Sequence, residues 1–317
     1  MMHTKCKICG NKKENQVFRV KERQINKGDM FRYLYCPKCG TLQLIDEIDP
    51  GPFYTEDYYS FHLQPAKKVG VLKKKIVKII TKGMPIPETA MYFFRKIFGF
   101  STMILWSTKV NEDSAILDVG GGNGAYVAEL VELGYKNVCC IDKFCIESPY
   151  DNINFVQGEL ADIEGEKKYD LIMFNHSFEH IENGLETLQN VERLLKEDGI
   201  CLIRIPISEN YVWNKYKEYW GNIDAPRHYF LYTPRSLSYL CKKAGLAIRK
   251  IRWDSYGGQM QVAENYYNEE HGGVVREITN ASILEKIMFW HKTDKINRKK
   301  IGDTAAFYIV KSKGVRR

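Results

Sequence analysis

The chain has 317 residues, a formal net charge of +8, 44% hydrophobic and 27% charged residues. That is enough apolar material for a large core or two domains, and it excludes a disordered or fibrous chain. No run of eighteen or more apolar residues occurs, which excludes a transmembrane helix, and the N-terminus lacks an apolar signal region, so a cytoplasmic location is expected.

The first segment, 1–50, carries two knuckles, Cys6-Lys7-Ile8-Cys9-Gly10 and Cys36-Pro37-Lys38-Cys39-Gly40. Two thiolates spaced C-x-x-C reach one metal, and the glycine that follows permits the turn. Four thiolates complete a tetrahedron suited to structural Zn²⁺, with no open position for catalysis. Between the knuckles, Phe18 and Val20, and then Phe31, Tyr33 and Tyr35, fall at alternate positions, as in the strands of a small zinc ribbon. Cys139, Cys140, Cys145, Cys201 and Cys241 are scattered and read as small core residues in a reducing compartment.

Pro50-Gly51-Pro52 opens a lead-in segment, 51–110, with an aromatic run at 53–59. Residues 66–82 predict a helix. Val69, Leu72, Ile76, Ile79 and Ile80 share one face, and Lys67, Lys68, Lys73, Lys74, Lys75, Lys78 and Lys82 hold much of the positive charge opposite. Such a helix is a candidate for peripheral contact with an anionic membrane or a diphosphate-linked lipid. A second aromatic-rich stretch runs from 91 to 106 after Pro85-Ile86-Pro87.

The segment 111–317 reads as the main domain. Ile116-Leu117-Asp118-Val119 predicts a strand, Gly120-Gly121-Gly122-Asn123-Gly124 a tight turn, and 125–133 a helix. Gly120, Gly122 and Gly124 let the backbone turn sharply against a ligand where a Cβ would clash. The helix start supplies free N–H groups and a positive dipole end. Strands are expected at 115–119, 137–142, 153–157, 170–175, 199–205, 246–252 and 305–311. Helices are expected at 185–196, closed by Asp198-Gly199, and from Pro234, capped by Thr233. Strands alternating with helices make an α/β domain with a parallel sheet. Asp142, ending the second strand, is placed for the two hydroxyls of a ribose. Insertions are expected at about 207–233 and 254–303.

The spacing Asp118-x-Gly120-x-Gly122-x-Gly124 resembles motif I of the class I S-adenosylmethionine (SAM) methyltransferases. The resemblance extends through Tyr169-Asp170-Leu171-Ile172-Met173-Phe174-Asn175, similar to the family's fourth strand, and Phe178-Glu179-His180-Ile181, similar to its Leu-Glu-His-Val element. Leu194-Leu195-Lys196-Glu197-Asp198-Gly199 resembles the Leu-Leu-Lys-Pro-Gly-Gly run before its fifth strand. It covers about residues 110–253. It implies a Rossmann-like sheet, parallel with an antiparallel last strand, and a SAM pocket formed by Asp118, Gly120, Gly122, Gly124, Asp142, Asn175 and the adenine-contacting pair Glu159 and Leu160. With the cysteine ribbon, the layout is similar to sugar and surface-polysaccharide-cluster methyltransferases. Asp224-Ala225-Pro226-Arg227-His228 looks like the polysaccharide-cluster form, for which O-methylation of a nucleotide sugar or lipid-linked glycan is expected. Of the Tyr-x-Glu-His cluster of sugar C-methyltransferases only His228 is matched, so C-methylation is the alternative.

A hydroxyl acceptor must lose its proton, and imidazole is the usual base near neutral pH. His228 is the expected base, with His180 and His176 the further candidates. Glu179 would shape the pocket with His180, Arg227 would hold a substrate phosphate, and Trp213, Tyr216, Tyr219 and Trp220 would stack on a sugar or cover SAM. Two other functions compete. A ribosomal or transfer RNA methyltransferase suits the charge, but the loop Asn175-His176-Ser177-Phe178 lacks the prolines of an Asn-Pro-Pro-Tyr loop, and nucleic acid is not the expected partner. A non-catalytic SAM-binding scaffold is disfavoured by the intact glycine loop and Asp142.

Overall fold

The computed structural model of the chain describes residues 5–312 apart from 26, 56–69, 73, 76–104, 106, 146, 167, 256–257 and 277–282. The expected helix at 66–82 lies outside the described residues except for 70–75, where 71–72 and 74–75 are helical. The aromatic stretch 91–106 is described only at Leu105.

The larger sheet is built from the apolar runs of the main domain. Strands β4 (Ala115–Val119), β5 (Asn137–Asp142), β6 (Asn154–Gln157), β7 (Tyr169–Asn175) and β8 (Leu195–Pro206) are parallel. Strand β11 (Thr304–Lys311) runs antiparallel between β8 and β10 (Leu246–Trp253). The order is β10-β11-β8-β7-β4-β5-β6, a Rossmann-like methyltransferase sheet with an antiparallel strand. The chain reverses its winding between β4 and β7, and in open parallel sheets the crevice at the carboxyl ends of such neighbours takes the ligand.

Central strands of such a sheet are covered on both faces, so their residues are apolar without alternation. Leu117, Ile172, Phe174 and Ile203 pack on one face with Leu188 and Val191 of α2 (Gly184–Leu194) and Leu237 and Leu240 of α4 (Pro234–Lys243). Ile116, Leu171, Met173 and Leu202 pack on the other with Val127 and Leu130 of α1 (Ala125–Glu132). Helix α4 begins as expected. Thr233 Oγ1 accepts the Ser236 N–H and Ser236 Oγ accepts the Thr233 N–H, closing a reciprocal cap before Pro234. Helix α2 stops at Leu194, before the expected Asp198-Gly199. Leu195 is fully buried and pairs with Tyr169 in the sheet, and the register steps from there to Leu171↔Ile200. Lys196–Gly199 is therefore a bulge inside β8, and core burial of Leu195 overrides a local stop signal.

The N-terminal segment forms the antiparallel strands β1 (Gln16–Lys21), β2 (Met30–Tyr35) and β3 (Leu42–Leu44). Its fourth strand, β9 (Phe230–Leu231), comes from far along the chain: Leu42 pairs with Leu231 and Gln43 with Phe230. A third core lies on this sheet, where Val20, Phe31, Tyr33, Leu42 and Leu44 meet Val212 and Trp213 of α3 (Tyr211–Tyr216), with Trp220 and Ile223. Phe18 packs edge-on against Trp213, ring centroids 5.0 Å apart at 72°. This corrects the expected role of the aromatic group. Trp213, Tyr216 and Trp220 are buried in packing against the ribbon sheet rather than offered to a ligand. Helices α5 (Gly258–His271) and α6 (Ile283–Arg298) fill the last insertion. Among the described residues, no helix is long and apolar enough to cross a membrane.

Candidate functional site

The glycine loop sits at the carboxyl end of β4. Gly120, Gly122 and Gly124 have φ of +70°, +58° and +82°, a region that costs an L-residue about 1–2 kcal/mol. The Gly120 N–H donates to the Ile141 carbonyl at 2.8 Å, tying the loop to β5. At Gly121 a Cβ would meet Asp118 Oδ2 and Cys140 Sγ, both at 2.7 Å. Asp142, at the end of β5, accepts the Gly122 N–H through Oδ2 at 2.8 Å, and the N–H groups of Phe144 and Cys145 through Oδ1 at 2.9 Å each. Its carboxylate thus stands beside the loop, fixed by three backbone donors. Asp118 is buried and its Oδ1 has no hydrogen-bond partner among the described residues. Burial, then the neighbouring Asp142, pushes its carboxyl up to about 7.

The other expected pocket residues lie on the same sheet edge. Glu159 follows β6, is exposed, and pairs with Lys143 at 2.7 Å, while the adjoining Leu160 is buried in the core. Asn175 ends β7, and its Oδ1 accepts from Arg204 at 3.4 Å. A cradle of left-handed glycines, a carboxylate beside it and an orphaned buried acid fit a nucleoside carrying a cationic amino-acid tail. These are the groups of SAM.

The loop after β7 brings the histidines to this edge. Ser177 Oγ donates to the Val119 carbonyl at 2.5 Å, so the loop touches the glycine turn. His176 is held by Arg204, with its Nδ1 3.5 Å from Glu179 Oε1. It adopts φ +56°, its Nε2 accepts from Arg204, and burial followed by the Arg204 charge holds it well below the usual imidazole range. His180 and His228 meet edge to face, ring centroids 4.5 Å apart at 80°. His228 Nδ1 donates to the Asn222 carbonyl at 2.8 Å, which leaves the Nε2 lone pair as its basic site. Its pKa is lowered by burial, so it is neutral at neutral pH. His180 Nδ1 lies 2.8 Å from Tyr54 Oη and 3.1 Å from the Arg227 carbonyl. A carbonyl only accepts, so Nδ1 carries the hydrogen there too. Burial and then His228 lower His180 to about 3. Glu179 is fully enclosed, and burial raises its carboxyl to about 8.

Tyr54 is a site residue that pattern reasoning missed. It stacks on Phe144, centroids 4.8 Å apart at 16°, and its hydroxyl reaches His180. It therefore bridges the Asp142 side of the edge and the histidine pair. Its only signal was the aromatic run after Pro50-Gly51-Pro52. Arg227 corrects an expectation in the other direction. It is fully buried and ion-paired through Nε (3.0 Å) and Nη2 to Asp224, while Nη1 donates to the Phe53 carbonyl at 3.0 Å. It braces the lead-in against the 224–228 loop and is not presented to a phosphate.

The four N-terminal cysteines converge. Cys6 and Cys39 Sγ are 3.6 Å apart, as are Cys9 and Cys36, and all four sulfurs lie within 4.8 Å of one another. These separations exceed an S–S bond of about 2.05 Å and approach the roughly 3.8 Å between thiolates held about 2.3 Å from one Zn²⁺. The knuckles repeat each other: Gly10 N donates to the Cys6 carbonyl and Gly40 N to the Cys36 carbonyl, with φ of +74° and +75°. This cluster adjoins the candidate site through the backbone. The Tyr33 hydroxyl donates to the His228 carbonyl at 2.8 Å, Thr233 Oγ1 to the Cys39 carbonyl at 2.6 Å, and Ser208 Oγ to the Gly40 carbonyl at 2.5 Å.

Residues 100–251 match the model of a family described as a methyltransferase domain. Among curated proteins, the chain is similar to the ubiquinone biosynthesis O-methyltransferase of Rickettsia bellii, 30% identical over 102 residues that cover 29% of this chain and 41% of that protein. It is also similar to that of Rickettsia typhi, 34% identical over 97 residues covering 28% and 39%. The chain thus spans about two fifths of the length of the curated relatives it matches. Among solved structures it is similar to a SAM-dependent methyltransferase from Archaeoglobus fulgidus (18% identity, TM-score 0.43, 70% of this chain and 99% of that one). A second is the 1,6-didemethyltoxoflavin N1-methyltransferase of Burkholderia thailandensis bound to S-adenosylhomocysteine (15% identity, TM-score 0.42, 87% and 96%).

Proposed function

We propose that this protein is a SAM-dependent methyltransferase that acts on a hydroxyl of a small molecule, a nucleotide sugar or lipid-linked glycan. The observation that carries this reading is the contact between two halves of one sheet edge. The glycine loop, with Asp142 holding the Gly122 N–H, supplies a nucleoside cradle. Ser177, Tyr54 and Phe144 join it to the edge-to-face pair of His180 and His228.

SAM, when bound, supplies a methyl group already activated on a sulfonium. Gly120, Gly122 and Gly124 would line its backbone-facing side, Asp142 its ribose, Glu159 and Leu160 its base, and Asp118 and Asn175 its amino-acid end. The protein's remaining work is to align the acceptor, exclude water and take its proton. His228 Nε2 is the base, because the Asn222 carbonyl fixes the hydrogen on Nδ1. His180 and Tyr54 orient the acceptor beside it. The N-terminal cysteines would hold a structural Zn²⁺, which would stabilise the ribbon from which the Tyr33 hydroxyl donates to the His228 carbonyl.

The named relatives favour a second acceptor, a phenolic hydroxyl of a quinone precursor. Their similarity spans under a third of this chain, and the glycan acceptor is preferred because Asp224-Ala225-Pro226-Arg227-His228 resembles the polysaccharide-cluster form. Transfer of labelled methyl from SAM to a nucleotide-sugar and lipid-linked-glycan pool, a catechol quinone precursor and bulk RNA decides between them. Label in the sugar pool is expected. Label only in the phenol would install the second acceptor, and label only in RNA would overturn both.

A further inference from the structure

Glu179 has no task in methyl transfer as assigned above, yet it is the most enclosed acid of the candidate site. It is 0% exposed, and neither carboxylate oxygen has a hydrogen-bond partner among the described residues. Buried polar atoms are paired in native structures with few exceptions, because an unpaired one forfeits its hydration for nothing. The group that would pair with Glu179 is therefore sought among what faces it. Its Oε1 lies 3.5 Å from His176 Nδ1 and 3.9 Å from His228 Nε2, and the ligand atoms of Glu179, His180 and His228 all fall within 4.8 Å of one another.

We infer that Glu179, His180 and His228 form a second metal site, for a divalent transition cation. Two imidazoles and a carboxylate are the ligand set of Zn²⁺, Co²⁺, Ni²⁺ and Fe²⁺ rather than Mg²⁺ or Ca²⁺. Three protein ligands leave open positions, unlike the closed four-cysteine cluster. Each imidazole is already held by its far nitrogen, as metal-bound histidines are: His228 Nδ1 by the Asn222 carbonyl, and His180 Nδ1 by the Arg227 carbonyl and the Tyr54 hydroxyl. The ligands come from two loops pinned to each other, since the Tyr229 N–H donates to the Glu179 carbonyl at 2.9 Å. His180 is half-buried and gives the ion a way in. The site is assembled from the residues between β7 and α2 and those before β9, so no single segment of sequence displays it.

The functional consequence rests on the assignment of His228 as the base. Its Nε2 has one lone pair. A cation bound there takes the pair that would accept the acceptor's proton, so the loaded protein binds SAM normally and transfers methyl slowly.

The test uses the full chain, stripped of metal and titrated with Co²⁺ alone. Two equivalents are expected. One carries thiolate-to-cobalt charge transfer from the cysteines, and the other shows only ligand-field absorption. Glu179→Gln, an isosteric change that keeps the backbone bond to Tyr229, and His228→Gln should each take up one equivalent and keep the charge-transfer band. A wild type that saturates at one thiolate-bound equivalent, or a Glu179→Gln protein that retains the second, overturns the site. Calorimetry with S-adenosylhomocysteine and turnover are followed on the same samples. Unchanged affinity with turnover at least tenfold lower on loading the second equivalent is expected. If the second ion binds and turnover does not move, the metal site stands and the assignment of His228 as base falls.

Discussion

At the scale of single residues, burial suppresses the ordinary charges of Asp118, Glu179, His176, His180 and His228. Asp118 shows this best. Its carboxyl lies near 7 in the ligand-free chain, against an ordinary 3.8. Between those values the ligand-free protein holds a proton that a cationic ligand must displace. SAM should therefore bind more tightly as pH rises through about 7 and release a proton on binding, read by calorimetry in buffers of different ionisation enthalpy. Asp118→Asn should flatten that dependence, and a wild type with no pH dependence there would remove Asp118 from the pocket. His228→Ala is expected to lower turnover on the true acceptor by about a hundredfold or more, the span of a lost acid–base group. Its affinity for S-adenosylhomocysteine should hold, because His228 lies apart from the glycine–Asp142 contacts. Near-normal turnover would make the residue structural and His180 the next base to test. At Gly120 the structure shows two demands at once. The residue has φ +70°, and a Cβ would meet Ser177 Cβ at 2.5 Å. A side chain there would disturb the β7 loop as well as any ligand.

At the scale of elements, the ribbon sheet takes its last strand directly after the 224–228 loop. Strand β9 completes the sheet of β1, β2 and β3 and begins two residues after His228. Zinc held by four cysteines commonly supplies on the order of 10 kcal/mol of folding energy to its module. Losing it should loosen more than the ribbon. Cys9→Ser is expected to lower zinc content by elemental analysis and to speed hydrogen exchange in β1–β3. It should also cut turnover by about a hundredfold, the usual effect of displacing a catalytic group by about 1 Å. Affinity for S-adenosylhomocysteine should stay near normal, since the glycine loop belongs to the other sheet. Turnover unaffected by the substitution would sever the ribbon from the chemistry. The elements themselves were mostly legible in advance. Unbroken apolar runs marked β4, β7 and β8, and Thr233-Pro234 marked the start of α4. The end of α2 was misjudged, because Asp198-Gly199 is a strong local stop and only the burial of Leu195 in the sheet displaces it.

At the scale of the whole molecule, a net charge of +8 and the lysines of 66–82 bear on where the enzyme works. A lipid-linked acceptor would hold it at an anionic surface, where each lysine contributes about 1 kcal/mol at low salt. Co-sedimentation with anionic vesicles at low salt, lost at high salt, is the expected result, and no binding at low salt would end the idea. The three cores have different origins in the sequence. One face of the large sheet is built from the stretch of alternating strands and helices, and the core on the other also takes in Cys6, Ile8, Leu34, Cys36 and Cys39 of the N-terminal segment. The third joins residues from near the N-terminus to Trp213, Trp220 and Ile223.

What the sequence determined by itself is what sterics and short spacing dictate. Glycines at 120, 122 and 124 permit the left-handed backbone that other residues resist, and paired C-x-x-C knuckles converge because each already presents two sulfurs to one point. The order of apolar runs determined the parallel sheet. What only the tertiary structure decided is which polar and aromatic side chains face inward. Arg227 reads as a phosphate ligand until Asp224 and the Phe53 carbonyl enclose it, and the tryptophans read as a ligand lid until the ribbon sheet covers them. Tyr54 reads as one aromatic among several until it lands between Phe144 and His180. A side chain's partners across a hundred residues are set by the packing of whole elements. Local pattern encodes the elements and leaves those meetings to the fold.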